Sequence, residues 1–148
     1  MTMAITDSQV ATLRAHLAGN FDEYQRLWAD LARPGAKGGY PTLIAAAFFE
    51  AADRRFTKGG GTDTDVIAFV GSARSRFDEK GDEIDPHAAE VLIRAVLGDV
   101  TETDLDDDTV ITTQLTLLTA LVLDEQFSGE QLDKFMAEAR KLADEWTD

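Results

Sequence analysis

Residues 107–126 read DDTVITTQLTLLTALVLDEQ, and the conformation of this stretch decides the fold class. Its first half, residues 110–117, is rich in threonine and aliphatic side chains and could be mistaken for a β-strand. The apolar pattern, however, runs on through Leu118, Leu121 and Val122, which makes the segment too long for a typical strand. We therefore predict a helix from about Asp107 to Gln126, the sixth of the chain. Because it is apolar on most sides, we expect it to be central.

The segment that follows predicts an amphipathic seventh helix. Ser128 and Gln131 have the spacing of a capping box, in which each side chain bonds the backbone amide of the other residue. Apolar residues then recur every three or four positions, which is typical of one buried helical face. A seam of this length favours packing within a domain over a coiled coil. The predicted seam consists of Leu132, Phe135, Ala139, Leu142 and Trp146.

Five further helices are predicted before these two, most of them opened by a capping residue. Thr6 and Gln9 form another capping box, and Gly19 ends the first helix. Asn20 caps the second helix, whose apolar stripe is predicted to be Phe21, Tyr24, Trp28 and Leu31. The starts of the third, fourth and fifth helices are predicted at Tyr40-Pro41, Thr62 and Asp85-Pro86.

The length fits a single domain spanning residues 1–148. A chain of 148 residues buries roughly two thirds of its unfolded surface and needs no disulfide or metal to stabilise its core. No internal repeat of fixed period is present, which argues against a solenoid. The predicted fold is therefore all-α, a compact orthogonal bundle of about seven helices with the sixth helix at its centre.

The charge balance restricts the class of partner. The chain has 28 acidic and 14 basic residues and a formal net charge of −14. Such a charge repels nucleic acid phosphates and anionic lipid surfaces, so we expect neither direct nucleic acid binding nor a membrane partner. The most apolar stretch, Val110 to Leu123, is also too short to span a bilayer. The acidic excess would attract a basic protein, although solubility alone also accounts for it.

The absence of cysteine excludes a disulfide framework, a thiolate metal site and a thiol nucleophile. It fits a reducing compartment, and residues 1–9 have no basic start or apolar run typical of a signal peptide. We therefore expect a cytoplasmic protein. The composition, with 21 alanines and more arginine than lysine, resembles that of proteins from bacteria with GC-rich genomes.

Two acidic clusters are candidates for metal binding or for partner binding. Counted as an EF-hand loop from Asp104, the first cluster has Thr109 where glycine is needed and Leu115 where glutamate is needed. The second cluster has a lysine among its would-be ligands. We therefore expect no metal and no cofactor, and assign both clusters as candidate partner-binding acids. They are Asp104, Asp106, Asp107 and Asp108, together with Glu79, Asp82 and Glu83.

The usual catalytic arrangements are missing from the sequence. A carboxylate-bridged di-metal bundle needs two Glu-x-x-His motifs, and neither His16 nor His87 has glutamate three residues before it. No serine lies in a nucleophile elbow. The loop Gly35–Gly39 could tolerate an anion at a helix start, but it lacks the ending of a P-loop. No catalytic residue is assigned, and the sequence favours a protein that is not an enzyme.

The function that remains by elimination is a non-catalytic protein-interaction module with an acidic surface. The most specific version of this function is an inhibitor or immunity-type protein that covers a basic partner. The alternative is a small-molecule binding protein or an enzyme with an aromatic pocket between helices. His16 or Arg54-Arg55 would then supply polar groups, although core packing also explains the aromatic residues. The candidate pocket residues are Tyr24, Trp28, Phe48 and Phe49.

Overall fold

The computed structural model describes residues 5–31, 39–57, 63–77, 85–97 and 105–147. Within these ranges all regular structure is helical, which confirms the predicted all-α class. A π-helical segment, Asp53–Thr57, continues the third helix. The seven α-helices of the described ranges are α1 (Asp7–Ala18), α2 (Phe21–Leu31), α3 (Tyr40–Ala52), α4 (Asp63–Phe77), α5 (Pro86–Val96), α6 (Asp107–Glu125) and α7 (Gly129–Thr147).

Local hydrogen bonds explain why the first helix begins and ends where it does. The Gln9 amide donates to Thr6 Oγ1 at 3.1 Å, and the Thr6 amide donates to Gln9 Oε1 at 3.1 Å. These two bonds form the predicted capping box. At the other end Gly19 adopts a φ of 76°, a left-handed conformation that glycine reaches without strain.

The predicted caps of α2, α5 and α7 are also confirmed. Asn20 Oδ1 accepts a bond from the Glu23 amide at 3.4 Å. Asp85 Oδ1 accepts one from the amide of His87, with Pro86 in the first turn. In the capping box before α7, the Gln131 amide donates to Ser128 Oγ at 3.2 Å and the Ser128 amide to Gln131 Oε1 at 2.8 Å. The predicted cap Thr62 lies outside the described residues.

The stretch that decided the fold class is helical from Asp107 to Glu125. Helix α6 includes the threonine-rich residues 110–117, and Gln126 leaves it in a left-handed conformation with a φ of 53°. The Thr116 and Thr119 hydroxyls donate to backbone carbonyls one turn earlier, at 2.9 and 2.8 Å. These bonds satisfy the hydroxyl groups inside the helix, so these two threonines leave no unpaired hydroxyl there.

Tertiary contacts divide the chain into two compact units. The first unit consists of residues 1–47 and 125–148, and the second of residues 48–124. Helix α3 contributes residues to both, since the division falls between Ala47 and Phe48. The single domain over residues 1–148 and the central position of α6 stay predictions.

In the first unit, α1 packs against both α2 and α7. Two ion pairs join α1 to α7: Arg14 Nε lies 2.5 Å from Asp133 Oδ1, and Arg140 pairs with Asp7. Arg140 also donates to the carbonyl of Ile5 at 2.9 Å. The buried side chains of this unit include Leu13, Leu17, Leu43, Leu132, Phe135 and Met136.

The buried face of α7 differs from the predicted seam toward its end. Its early members are buried as predicted, but Leu142 is only half-buried and Trp146 is 48% exposed. Met136 and Ala143 lie in the core instead. A helix of 3.6 residues per turn drifts away from a strict seven-residue repeat, so the buried face moves off the predicted seam.

In the second unit, α4 packs against α5, and aromatic side chains join α4 to the π-helical segment. Phe56 and Phe69 are buried and meet edge to face, with ring centroids 5.6 Å apart. The Arg55 guanidinium lies over the Phe69 ring at 5.6 Å and pairs with Asp124 Oδ2 at 3.3 Å. Arg55, one of the candidate polar groups of a pocket, is thus engaged by an aromatic ring and a carboxylate.

Candidate protein-interaction surface

The acidic residues are unevenly divided between the two units. The second unit contains 17 acidic and seven basic residues, and the first contains 11 acidic and seven basic residues. Most of the net negative charge therefore belongs to residues 48–124. None of the acidic side chains whose burial is described is buried, so their field reaches the solvent.

The acidic residues at the start of α6 have different surroundings. Asp106 Oδ1 accepts a bond from the Thr109 amide at 2.8 Å and caps the helix. Hydrogen bonds from the side chain and then the backbone of Thr109 lower the pKa of Asp106. Asp108 is exposed, whereas the side chain of Asp107 is not described. We therefore assign Asp106 a structural role in addition to its charge, and Asp108 remains a candidate contact.

The remaining predicted partner-binding acids cannot be placed. Asp104, Glu79, Asp82 and Glu83 lie outside the described residues. The loop considered for an anion, Gly35–Gly39, also lies outside them except for its last residue. Their proposed roles therefore stay predictions from the sequence.

Helix α2 exposes two large aromatic side chains on one edge. Phe21 is 64% exposed and Trp28 is 37% exposed, and Leu31 is the buried residue of the helix. The stripe predicted for α2 is therefore wrong in placing Phe21 and Trp28 on a buried face. An apolar pattern predicts which side chains share a face, but only the surrounding packing determines how much of that face is covered. We call Phe21 and Trp28 the aromatic edge.

Trp28 of the aromatic edge also belongs to a continuous row of four rings. Tyr24 stacks on Trp28 with centroids 5.9 Å apart, and the Trp28 ring meets Tyr40 edge to face at 5.8 Å. At the other end, His16 contacts Tyr24 at 5.2 Å. The row brings together two of the candidate pocket residues, Tyr24 and Trp28, with the candidate polar group His16. The rings touch one another directly, so they pack as a support for α2.

Sequence reasoning missed Tyr40 as a member of this row. Tyr40 begins α3 and is buried, with 6% of its surface exposed. The sequence showed an aromatic residue directly before Pro41, at a predicted helix start. It did not show that this residue contacts Trp28, which is 12 residues away in sequence. The other two candidate pocket residues belong to the second unit, where Phe48 is buried and Phe49 is half-buried.

Burial favours the neutral forms of the ionisable rings in the row. Desolvation lowers the pKa of His16 and raises the pKa of Tyr24. The pKa of Tyr40 is raised strongly, first by desolvation and then by the charge interaction with Tyr24. At neutral pH the row is therefore an uncharged set of rings that includes imidazole and phenol groups.

Acidification should destabilise the protein through His16. Its pKa in the folded state lies below the ordinary value of about 6.5, so the unfolded chain binds the proton more readily. This contribution to stability is present above pH 6.5 and is lost as the pH falls through the lowered pKa. Urea unfolding at pH 7.5 and 5.5 should therefore show a larger loss in the wild type than in His16→Gln. Equal losses in both proteins would contradict this role.

The described residues contain no group of three or more metal-ligating side chains close enough to hold an ion. On α5, Glu90 Oε1 lies 3.4 Å from Arg94 Nη2 and forms an ion pair with it. His87 is exposed, and its backbone amide is bonded to Asp85.

Comparisons with known proteins add no further assignment. No protein-family model, curated protein or solved structure matches the chain. Among the described residues, no helix has both the length and the apolar character needed to cross a membrane. Any functional argument therefore rests on the acidic surface and on the aromatic edge themselves.

Proposed function

We propose that the protein is a non-catalytic interaction module that captures a basic protein partner through its acidic surface. The observation that carries the proposal is the concentration of acidic side chains in residues 48–124, none of them buried where burial is described. A surface with one dominant sign of charge attracts an oppositely charged partner over distance and repels the wrong ones. An inhibitor that covers a basic active site would use this surface most directly.

The uneven distribution of charge favours capture over solubility alone. A charge that only keeps a protein soluble can be spread over the whole surface. Here the two units have equal numbers of basic residues, but the second has six more acidic residues than the first. Several of these form the two clusters assigned from the sequence, at residues 79–83 and 104–108.

Matched charge variants test the proposal. The first variant combines Asp104→Asn, Asp107→Asn and Asp108→Asn, and leaves the capping residue Asp106 unchanged. The control combines Glu130→Gln, Glu138→Gln and Glu145→Gln, which removes the same charge from exposed positions on α7. The binding partner for this test is a basic protein captured from the native lysate by the wild-type protein. It should associate about tenfold more slowly with the first variant at low salt, because local charge steers association. The control should lose much less.

Each outcome of this comparison is informative. Equal, large losses in both variants would mean that only the net charge matters and would contradict the assignment of the cluster at residues 104–108. Unchanged association in both variants would contradict electrostatic capture altogether. Circular dichroism of both variants checks that the helices are retained.

A second candidate function is small-molecule binding beside the row of rings. The observation in its favour is that ring contacts bring the imidazole of His16 and the phenol groups of Tyr24 and Tyr40 into one row. Trp28 would report binding by its fluorescence in a Trp146→Phe background, which leaves it the only tryptophan. A saturable change with a small aromatic or amine ligand, lost in Tyr40→Leu, would favour this function over protein capture.

A further inference from the structure

We propose that α2 is a pH-sensitive helix: protonation of His16 favours release of α2 from α1 while the rest of the first unit stays folded. We call this release opening; it goes beyond the proposed function and does not depend on it. Its starting observation is how little of α2 is buried. Of its 11 residues, eight are exposed and only Leu31 is buried. An element with few buried side chains opens at a lower free energy than the core of its domain.

Ring contacts hold α2 against its neighbours, and His16 is the member of the row that belongs to α1. Tyr24 lies against His16 with centroids 5.2 Å apart, and Trp28 lies against Tyr40, the first residue of α3, at 5.8 Å. Tyr40 is buried, whereas His16 and Tyr24 are half-buried. A charge on the imidazole therefore arises at the contact that joins α2 to α1.

The charged residues that face each other on α1 and α7 do not neutralise a charge on His16. Asp7 and Arg14 of α1 pair with Arg140 and Asp133 of α7. His16 is two residues beyond Arg14, which places it roughly 200° around the helix, on the opposite side of α1 from these pairs. The carboxylates of these pairs therefore point away from the imidazole and are already engaged by arginine.

Among the described residues, neither α2 nor α3 supplies a compensating carboxylate within this unit. The titratable group of α2 in contact with His16 is Tyr24, and the charged residues of the helix lie roughly 100° or more around it from Tyr24. These residues are Asp22, Glu23, Arg26 and Asp30. The part of α3 in the first unit, residues 40–47, has no charged side chain.

Burial therefore opposes the charge as long as α2 is closed, and desolvation lowers the pKa of His16. The carbonyl groups in the last turn of α1 would favour a cation, but the Gly19 and Asn20 amides already bond those of His16 and Ala15, at 3.2 and 3.0 Å. When α2 opens, water reaches the ring and the ordinary pKa of about 6.5 returns. As the pH falls from 6.5 toward the lowered pKa, opening gains by at most about tenfold per pH unit.

Hydrogen–deuterium exchange of the full-length protein, resolved by residue with NMR, tests this inference. Protection factors are normalised for the pH dependence of the exchange chemistry, so they report opening alone. At pH 7.5 the α2 amides should be protected at least about tenfold less than the core amides of α7, because α2 opens while α7 stays folded. At pH 5.5 the protection of α2 should be lower still, by at most about tenfold, because His16 binds a proton in the open position.

His16→Gln is the test variant, and His87→Gln is its matched control, since it removes the chain's other histidine from an exposed position on α5. The loss of protection in α2 between pH 7.5 and 5.5 should disappear in His16→Gln and persist in His87→Gln. The comparison remains valid if glutamine itself loosens α2, because the readout is the pH dependence of protection. The wild-type comparison of α2 with α7 requires no variant.

The outcomes decide between local opening and unfolding of the whole unit. Protection of α2 equal to that of α7 at both pH values would overturn the inference, because α2 would then open only when the unit unfolds. A pH-independent protection of α2 in the wild type, or the same loss in His16→Gln as in the wild type, would overturn the role of His16. Each of these results leaves electrostatic capture standing, since the charge variants test it separately.

Discussion

Phe135→Ala is expected to lower the free energy of unfolding by about 3–5 kcal/mol, the range found when a buried phenylalanine is truncated. Phe135 is 5% exposed, and its ring lies 5.5 Å from that of Phe127. It belongs to the face of α7 that is buried in the first unit, so its removal leaves a cavity. Urea unfolding followed by circular dichroism measures the loss.

The matched control is Trp146→Ala on the same helix. Trp146 is 48% exposed, so its truncation is expected to cost about 1 kcal/mol or less. Leu142, which the sequence placed in the seam, is half-buried and should fall between the two. Similar losses for Phe135→Ala and Trp146→Ala would contradict the buried face of α7 described above.

Phe56→Ala should cause a similar loss in the second unit, also about 3–5 kcal/mol. Phe56 lies in the π-helical segment that follows α3 and is 2% exposed. Its ring meets that of Phe69, on α4, edge to face. Ile67→Ala on α4, at a site that is 54% exposed, is the control and should be nearly neutral. A neutral Phe56→Ala would mean that this aromatic pair contributes little to stability.

The same two core variants test the predicted single domain. If residues 1–148 unfold as one domain, Phe135→Ala and Phe56→Ala should each shift a single cooperative transition observed by all probes. Two transitions, each shifted by only one of the variants, would show that the two units unfold independently. That result would contradict the single-domain prediction.

Helix starts were predictable because they depend on residues within three positions of one another. The pairs Thr6–Gln9 and Ser128–Gln131 form the same reciprocal bonds that their spacing implies. The helical conformation of residues 107–125 was likewise evident from the length of the apolar pattern. These local hydrogen bonds and this periodicity are sufficient for the all-α class.

Exposure and side-chain neighbours were less predictable because they depend on tertiary packing. The pattern of α2 indicates one apolar face, but it does not reveal that Phe21 and Trp28 remain exposed while Leu31 is buried. The row that links His16 to Tyr40 joins three helices, so no local spacing predicts it. For the acidic clusters, the sequence supplies the charge, and only Asp106 receives a defined structural role.

The most direct test of the proposed function measures how the rate of association with the basic protein partner changes as ionic strength increases. Capture through an acidic surface predicts a rate that falls steeply between about 0.05 and 0.5 M salt, because the Debye length shortens and the steering field is screened. The dissociation rate should change much less. An association rate that is independent of salt, or a partner that is itself acidic, would contradict the account.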